Sequence, residues 1–130
     1  PAWINIDNIG VENNWKMGAT LSKITKVDDE SVELTGAELT IGKTLEKRDS
    51  SGDWATVSSS DPIAGLAETS ATLVQEEPQI LWKSTNVGYG KGYFRHMIDH
   101  DSVQLMIPGS SGQLRTQYEG EVTWTLSNAL

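Results

Sequence analysis

Apolar and polar residues alternate along several short stretches of this chain. In residues 15–22 every second residue is apolar, and the residues between them are polar or glycine. The same period recurs in residues 118–126, where Val122, Trp124 and Leu126 point to one side and the threonines point to the other. A period of two residues is typical of a β-strand with one buried face. Both stretches are therefore predicted to be strands whose apolar side faces inward.

Two further stretches, residues 36–42 and 102–109, show the same alternation. Glycine, serine and proline separate the predicted strands, which follow one another at intervals of about ten residues. No long stretch of the chain shows the 3.6-residue period of a helix. The residues predicted to point inward from these two strands are Ala37, Leu39, Ile41, Val103, Leu105 and Ile107.

Many short strands joined by turns predict an all-β fold, an antiparallel β-sandwich or a barrel-like structure with little or no helix. The chain has 130 residues, which is the usual size of one domain. Residues 1–130 are therefore predicted to form a single domain. The chain has no cysteine, which excludes thiol nucleophiles, zinc–thiolate sites and disulfide bonds.

The charge and the apolar content narrow the range of partners. The net charge is -8, and nucleic acids and anionic membranes attract proteins through a basic surface. No apolar run approaches the roughly 20 residues that span a bilayer. We therefore predict neither nucleic-acid binding nor membrane insertion.

The sequence offers little for catalysis or metal binding. His96 and His100 would lie about 13 Å apart along a strand, too far apart to hold one ion. The acidic run at residues 28–30 lacks the spaced oxygen donors and the glycine of a calcium loop, and it reads as a solvated turn. No nucleophile elbow, paired serine–lysine motif or phosphate-binding glycine loop is present. The prediction is that the chain is not an enzyme and has no catalytic residue, metal or cofactor.

One segment, residues 81–96, is locally basic and rich in aromatic residues within an acidic chain. Aromatic rings suit the apolar faces of sugar rings, and the cations suit carboxylates of sugars or peptides. The alternative is a glycine-rich hairpin whose aromatic residues pack in the core. The candidate ligand-binding residues are Trp82, Lys83, Tyr89, Lys91, Tyr93, Phe94 and Arg95.

The C-terminal sequence YEGEVTWTLSNAL resembles the signature of the WxL domain, a family of surface proteins of Gram-positive bacteria. The family carries two Trp-x-Leu motifs, and Trp124 and Leu126 match the second of them. Trp15 and Met17 occupy the first, followed by the family-like segment LTGAELTIG. Methionine replaces leucine there, with similar volume and apolarity. The resemblance covers nearly the whole chain.

The resemblance implies non-covalent attachment to the cell wall through peptidoglycan, outside the cell, on the surface of a Gram-positive bacterium. It also implies companion surface proteins encoded at the same locus as partners. Two alternatives stay open: an assembly module that binds such a companion, through an exposed strand edge for example, and an adhesin for host matrix proteins. Because teichoic acids are polyanions, the acidic charge opposes wall binding by bulk electrostatics, so specific contacts or a partner are required.

The two motif tryptophans allow two interpretations. Trp15 and Trp124 both lie on the apolar side of predicted strands, where they would fill the core. Truncation of a buried tryptophan to alanine typically costs about 3–5 kcal/mol. Alternatively, the two indoles line a groove that accepts a glycan or a partner strand.

Overall fold

The computed structural model describes residues 2–8, 14–86, 88–109 and 116–128. Within them the chain forms strands and a single 3₁₀ turn, His100–Ser102. No helix in these ranges has the length and apolarity required to span a bilayer. The strands are β1 (Ala2–Asn8), β2 (Trp15–Leu21), β3 (Thr25–Lys26), β4 (Asp29–Glu33), β5 (Glu38–Gly42), β6 (Thr44–Arg48), β7 (Trp54–Thr56), β8 (Ile63–Ala64), β9 (Ser70–Val74), β10 (Gln79–Ser84), β11 (Gly92–Ile98), β12 (Gln104–Met106), β13 (Tyr118–Glu119) and β14 (Val122–Asn128).

The strands pair into four antiparallel sheets. The two larger sheets have the orders β1-β11-β6-β7 and β14-β2-β10-β8, and the two smaller ones have the orders β12-β5-β9 and β13-β3-β4. Among the described strands none of these sheets closes on itself. The predicted all-β, antiparallel architecture is confirmed, and it is sandwich-like rather than a barrel.

Strand β2 shows how the alternating pattern produces the sandwich. Its burial alternates without a break, and Trp15, Met17, Ala19 and Leu21 are all buried. The strand lies between β14 and β10, and Trp124 pairs with Ala19 across the β14 ladder. A central strand with one apolar face must bury that face against another layer. The predicted strand and its inward face are confirmed.

The inward faces of the two larger sheets pack against each other through aromatic rings. The ring centroids of Trp15 and Phe94 are 5.0 Å apart, and those of Trp82 and His96 are 5.8 Å apart. His96 also meets Trp124 at 5.7 Å. Edge-to-face pairs of this kind stabilise beyond their buried area. Because the inward faces form this shared core, the outward faces of the two sheets lie on opposite sides of the molecule.

The alternation in residues 36–42 is also confirmed, with Ala37 and Ile41 buried and Leu39 packed against the core. The prediction for residues 102–109 was wrong about burial. Val103, Leu105 and Ile107 are 40%, 45% and 50% exposed. Among the described residues, β12 pairs only with β5, so it is an edge strand, and no second layer covers it.

Candidate functional site

Strand alternation divides the basic, aromatic segment between the core and the surface. Trp82 is 2% exposed and Phe94 is 0% exposed. Both side chains point inward, where Trp82 pairs with Met17 and Phe94 packs on Trp15. Neither ring has surface to offer a ligand, so the prediction that these two residues contact a ligand is corrected. They were predicted as ligand-binding residues because the composition of a segment does not show which face of a strand each ring occupies.

Tyr93 and Arg95 point the other way, onto the outer face of the sheet that contains β11. Arg95 meets Trp3 from β1 and Trp54 from β7 there, and Tyr93 lies beside Arg48 from β6. We call Trp3, Trp54, Tyr93 and Arg95 the outer platform. Three strands that are distant in sequence contribute to it, because β1 and β6 flank β11 and β7 flanks β6.

The centre of the outer platform is a guanidinium group held between two indole rings. Arg95 Cζ lies 4.0 Å from the ring centroid of Trp3 and 4.3 Å from that of Trp54. Its Nε–H donates a hydrogen bond of 2.7 Å to Glu46 Oε1, which pairs opposite Arg95 in the β6 ladder. This is the one side-chain hydrogen bond that Arg95 makes with the described residues.

The exposure of the rings matters as much as their arrangement. Trp3 is 40% exposed and Tyr93 is 37% exposed, and Arg48 Cζ lies 5.8 Å from the ring centroid of Tyr93. Contiguous exposed apolar surface is typical of sites that bind ligands or other proteins. The rings can cover apolar faces of a sugar, and a fixed guanidinium can hold a carboxylate with two parallel hydrogen bonds.

The other predicted ligand-binding residues lie away from the outer platform. Tyr89 is half-buried on Phe94, and Lys47 Nζ lies 3.8 Å from the Tyr89 ring centroid and donates to the Tyr89 carbonyl at 2.8 Å. Burial raises the pKa of Tyr89 to about 12, so its phenol stays protonated at physiological pH. Lys91 is exposed beside this turn. Lys83 lies in β10 on the outer face of the opposite sheet, across from Lys16.

The motif residues belong mainly to the core. Trp15 is 4% exposed, and its indole N–H donates to the Gly90 carbonyl at 3.1 Å. Met17 is 1% exposed. Trp124 is half-buried against the core. Leu126 is 52% exposed, contrary to the prediction that it points into the core, because β14 is an edge strand with a neighbour on one side only among the described strands.

Sequence reasoning missed a second cation–aromatic group, inside the sandwich. Lys43, Trp82, His96 and Trp124 form this inner cluster. Lys43 is 6% exposed, donates to the carbonyls of Gly65 at 2.9 Å and Leu81 at 3.2 Å, and lies 4.4 Å from the Trp82 ring centroid. A lysine between strands gives no local signal of burial, because its long side chain can reach past an exposed backbone.

His96 lies within the inner cluster between two indoles and is 0% exposed. Neither of its ring nitrogens has a hydrogen-bond partner among the described residues. Burial, with a smaller effect from the charge of Lys43, lowers the pKa of His96 to about 4. The imidazole is therefore neutral at pH 7. His100, by contrast, begins the exposed 3₁₀ turn that follows β11.

Within the described part of the chain, no group of three or more histidine, aspartate or glutamate residues is arranged to hold a metal ion.

The chain matches the family model of the WxL domain, described as surface cell wall-binding, over residues 2–129. Comparison with curated proteins and with solved structures gives no match.

Proposed function

Because the chain belongs to the WxL domain family of surface cell wall-binding domains, we propose that it attaches non-covalently to the wall of a Gram-positive bacterium by binding peptidoglycan. A location at the cell surface and a role in wall attachment follow from the family. The family is one of binding domains rather than of enzymes, and we propose that this chain has no catalytic role. The contacts proposed for peptidoglycan are those of the outer platform.

One observation carries this proposal: Arg95 lies between Trp3 and Trp54 at 4.0 and 4.3 Å. A cation held between two rings and bonded to Glu46 has already lost its rotamer freedom, so a ligand does not have to order it. Peptidoglycan combines sugar rings with peptide carboxylates. The indole rings match the first group, and the guanidinium matches the second.

The acidic charge of the chain is consistent with binding of this kind. A net charge of -8 gives no general attraction to an anionic wall. Arg95 already pairs with Glu46, so the outer platform is close to neutral. Stacking and directed hydrogen bonds depend less on salt than bulk attraction does. We therefore expect the affinity of the outer platform for peptidoglycan to change little with ionic strength.

Co-sedimentation with peptidoglycan sacculi stripped of teichoic acid and protein tests the proposal. Arg95→Lys keeps the charge but removes the planar group that stacks between the indoles. Wild type should pellet with the sacculi, and Arg95→Lys and Trp54→Ala should pellet less than wild type while remaining folded by circular dichroism. Lys23→Ala is the matched control, because it removes an exposed ion pair with Glu33 elsewhere. If folded wild type stays in solution, or if the control and Arg95→Lys lose binding equally, the proposal fails.

A second candidate function, assembly with a companion surface protein, is supported by strand β12. Leu105, Met106 and Ile107 are 45%, 59% and 50% exposed at the edge of the sheet. An exposed apolar edge strand offers unpaired backbone groups to an incoming strand. A companion protein that adds a strand there would cover these side chains.

A variant at the edge of the sheet distinguishes the two candidate functions, wall binding and assembly with a companion protein. Leu105→Lys, which places a charge on the edge, should leave co-sedimentation with bare sacculi unchanged and weaken capture of a companion encoded at the same locus. If Leu105→Lys abolishes sedimentation of a folded domain, the edge rather than the outer platform carries wall binding.

A further inference from the structure

A groove of 490 Å³ lies on the outer face of the sheet formed by β14, β2 and β10. This face is on the opposite side of the sandwich from the outer platform. The volume is within the range of sites that hold small ligands. The residues of the groove that matter for its chemistry are Lys16, Gly18, Thr20, Ile80, Thr125 and Ser127.

The two sequence motifs themselves place side chains at this groove. Trp15 and Met17 point inward, so Lys16 between them points outward, and Thr125 between Trp124 and Leu126 does the same. The register of the β14–β2 ladder brings these positions together, because Ser127 pairs with Lys16 and Thr125 pairs with Gly18. The variable middle residue of each motif is therefore on the surface that the motif tryptophans cannot reach.

An irregularity in β10 shapes the other wall of the groove. Ile80 pairs with Gly18 and Trp82 pairs with Met17, so Leu81 is an extra residue in the ladder, as in a β-bulge. A side chain at position 18 would place its Cβ 2.8 Å from the Gln79 carbonyl oxygen. Glycine at position 18 thus allows the β10 backbone to approach. Ile80 is turned outward and is 62% exposed.

The charge beside the groove is unbalanced. Lys16 and Lys83 stand directly opposite each other on β2 and β10. Neither ammonium group forms an ion pair with any residue that the structure describes. Like charges placed directly across a ladder destabilise a sheet. A bound anion would relieve this repulsion, in a chain whose net charge is otherwise -8.

Building on the proposed attachment to the wall, on which the identity of the ligand rests, we propose that this groove is a second binding site, for an anionic, hydroxyl-bearing segment of a wall polymer. The ammonium groups of Lys16 and Lys83 bind the carboxylate or phosphate. The hydroxyl groups of Thr20, Thr125 and Ser127 exchange hydrogen bonds with those of the ligand, and Ile80 covers its apolar side. Because the groove and the outer platform lie on opposite faces, one molecule can hold two wall segments at once, and the two sites gain from each other by avidity.

Two probes distinguish the sources of the anion. Muramyl dipeptide carries one carboxylate, at the end of a dipeptide attached to an amino sugar, and a polyglycerol phosphate oligomer carries phosphodiesters between hydroxylated units. Each is titrated into the ¹⁵N-labelled chain, and the backbone amide shifts of β2, β10 and β14 are followed. Thr125→Glu and Thr123→Glu form a matched pair: both are exposed residues on the outer face of β14, but only Thr125 lines the groove.

We expect at least one probe to shift the amides of the groove. Lys16→Gln and Thr125→Glu should each weaken this binding about fivefold, and Thr123→Glu should weaken it less than twofold, because a surface charge interaction acts over a short distance. Arg95→Lys should leave binding at the groove unchanged. A loss of binding at the outer platform can therefore be distinguished from a loss of binding at the groove. The inference is overturned if neither probe shifts the groove amides, or if Thr123→Glu weakens binding as much as Thr125→Glu.

Discussion

Two groups of indole rings and cations lie on opposite faces of β11, one inside the sandwich and one outside it. His96 joins the inner cluster, with Lys43 lying 4.4 Å from the Trp82 ring centroid. Its neighbour in sequence, Arg95, joins the outer platform, 4.0 Å from the Trp3 ring centroid. Both groups combine indole rings with a cation, but Lys43 donates to two backbone carbonyls, whereas the Arg95 side chain donates to Glu46 alone among the described residues. Burial rather than composition therefore separates the structural group from the proposed binding group.

The same contrast explains the two motifs. Trp15 is buried, and Trp124 packs its ring on His96, so both motif tryptophans hold the sheets together. The surfaces that can contact a ligand are formed by residues that the motif does not fix. A variant that removes a motif tryptophan and loses wall binding would therefore report unfolding before it reported a lost contact.

The largest expected difference in the free energy of unfolding is between a tryptophan variant of the inner cluster and one of the outer platform. Trp82→Ala should lower the free energy of unfolding by about 3–5 kcal/mol, because it removes a fully buried ring and leaves a cavity. Trp3→Ala should lower it by about 1 kcal/mol, the value of an exposed cation–π contact. Urea denaturation monitored by circular dichroism measures both. Equal losses in the two variants would show that the outer platform is structural.

The pH dependence of stability should depend on the inner cluster. Burial lowers the pKa of His96 from 6.5 to about 4. Between pH 6.5 and about pH 4, His96 is therefore protonated in the unfolded chain and neutral in the folded chain. The stabilisation is complete above about pH 6.5 and decreases as the pH falls to about 4, by about 3 kcal/mol.

The control for this prediction is His96→Phe, which keeps a ring between the two indoles without a titratable group. The difference in unfolding free energy between wild type and His96→Phe isolates the histidine from the carboxylates. A difference that stays constant from pH 7 to pH 4 would contradict the neutral, buried imidazole.

Loss of the cation should also cost more inside than outside. Lys43→Met leaves the carbonyls of Gly65 and Leu81 without their donor, which should cost about 1–3 kcal/mol. It should also raise the pKa of His96, because the Lys43 charge lowers it. Arg95→Met breaks a partly buried ion pair and two cation–π contacts, and because both charged side chains still reach solvent it should cost about 1 kcal/mol. Urea denaturation and an NMR titration of His96 measure these effects, and a larger cost for Arg95→Met would reverse the comparison.

The smallest expected change in stability is that of Tyr93→Ala, because Tyr93 is 37% exposed and Arg48 is 5.8 Å from its ring centroid. Its unfolding free energy should stay within about 0.5 kcal/mol of wild type. Co-sedimentation with sacculi should nevertheless decrease measurably. If wall binding is unchanged while the fold is intact, Tyr93 is not part of the binding surface.

Local alternation was sufficient to predict strands and, in the centre of a sheet, their buried side. The inward face of β2 follows directly from its sequence because both its neighbours and the facing sheet are present. The same pattern in β12 and at Leu126 predicted burial that does not occur, since both lie on edge strands. Alternation specifies which residues share a face, but it does not specify whether another layer covers that face.

The outer platform could be predicted only in part. Tyr93 and Arg95 were found because they are close together in a basic segment. Trp3 and Trp54 were missed because they come from strands that meet β11 only through sheet topology, which a local pattern does not contain. Leu81 and Trp82 are both buried because of the irregularity in β10, which interrupts the period of two and hid the inward direction of Trp82.

The most direct test uses the five tryptophans of the chain, each of which gives one indole N–H signal. The ¹⁵N-labelled protein is titrated with soluble peptidoglycan fragments, and the five indole signals are followed by NMR. If the outer platform binds the wall, the signals of Trp3 and Trp54 should shift, while those of Trp15, Trp82 and Trp124 should stay in place. Shifts of Trp15 and Trp124 with Trp3 and Trp54 unmoved would place the ligand at the motif tryptophans instead.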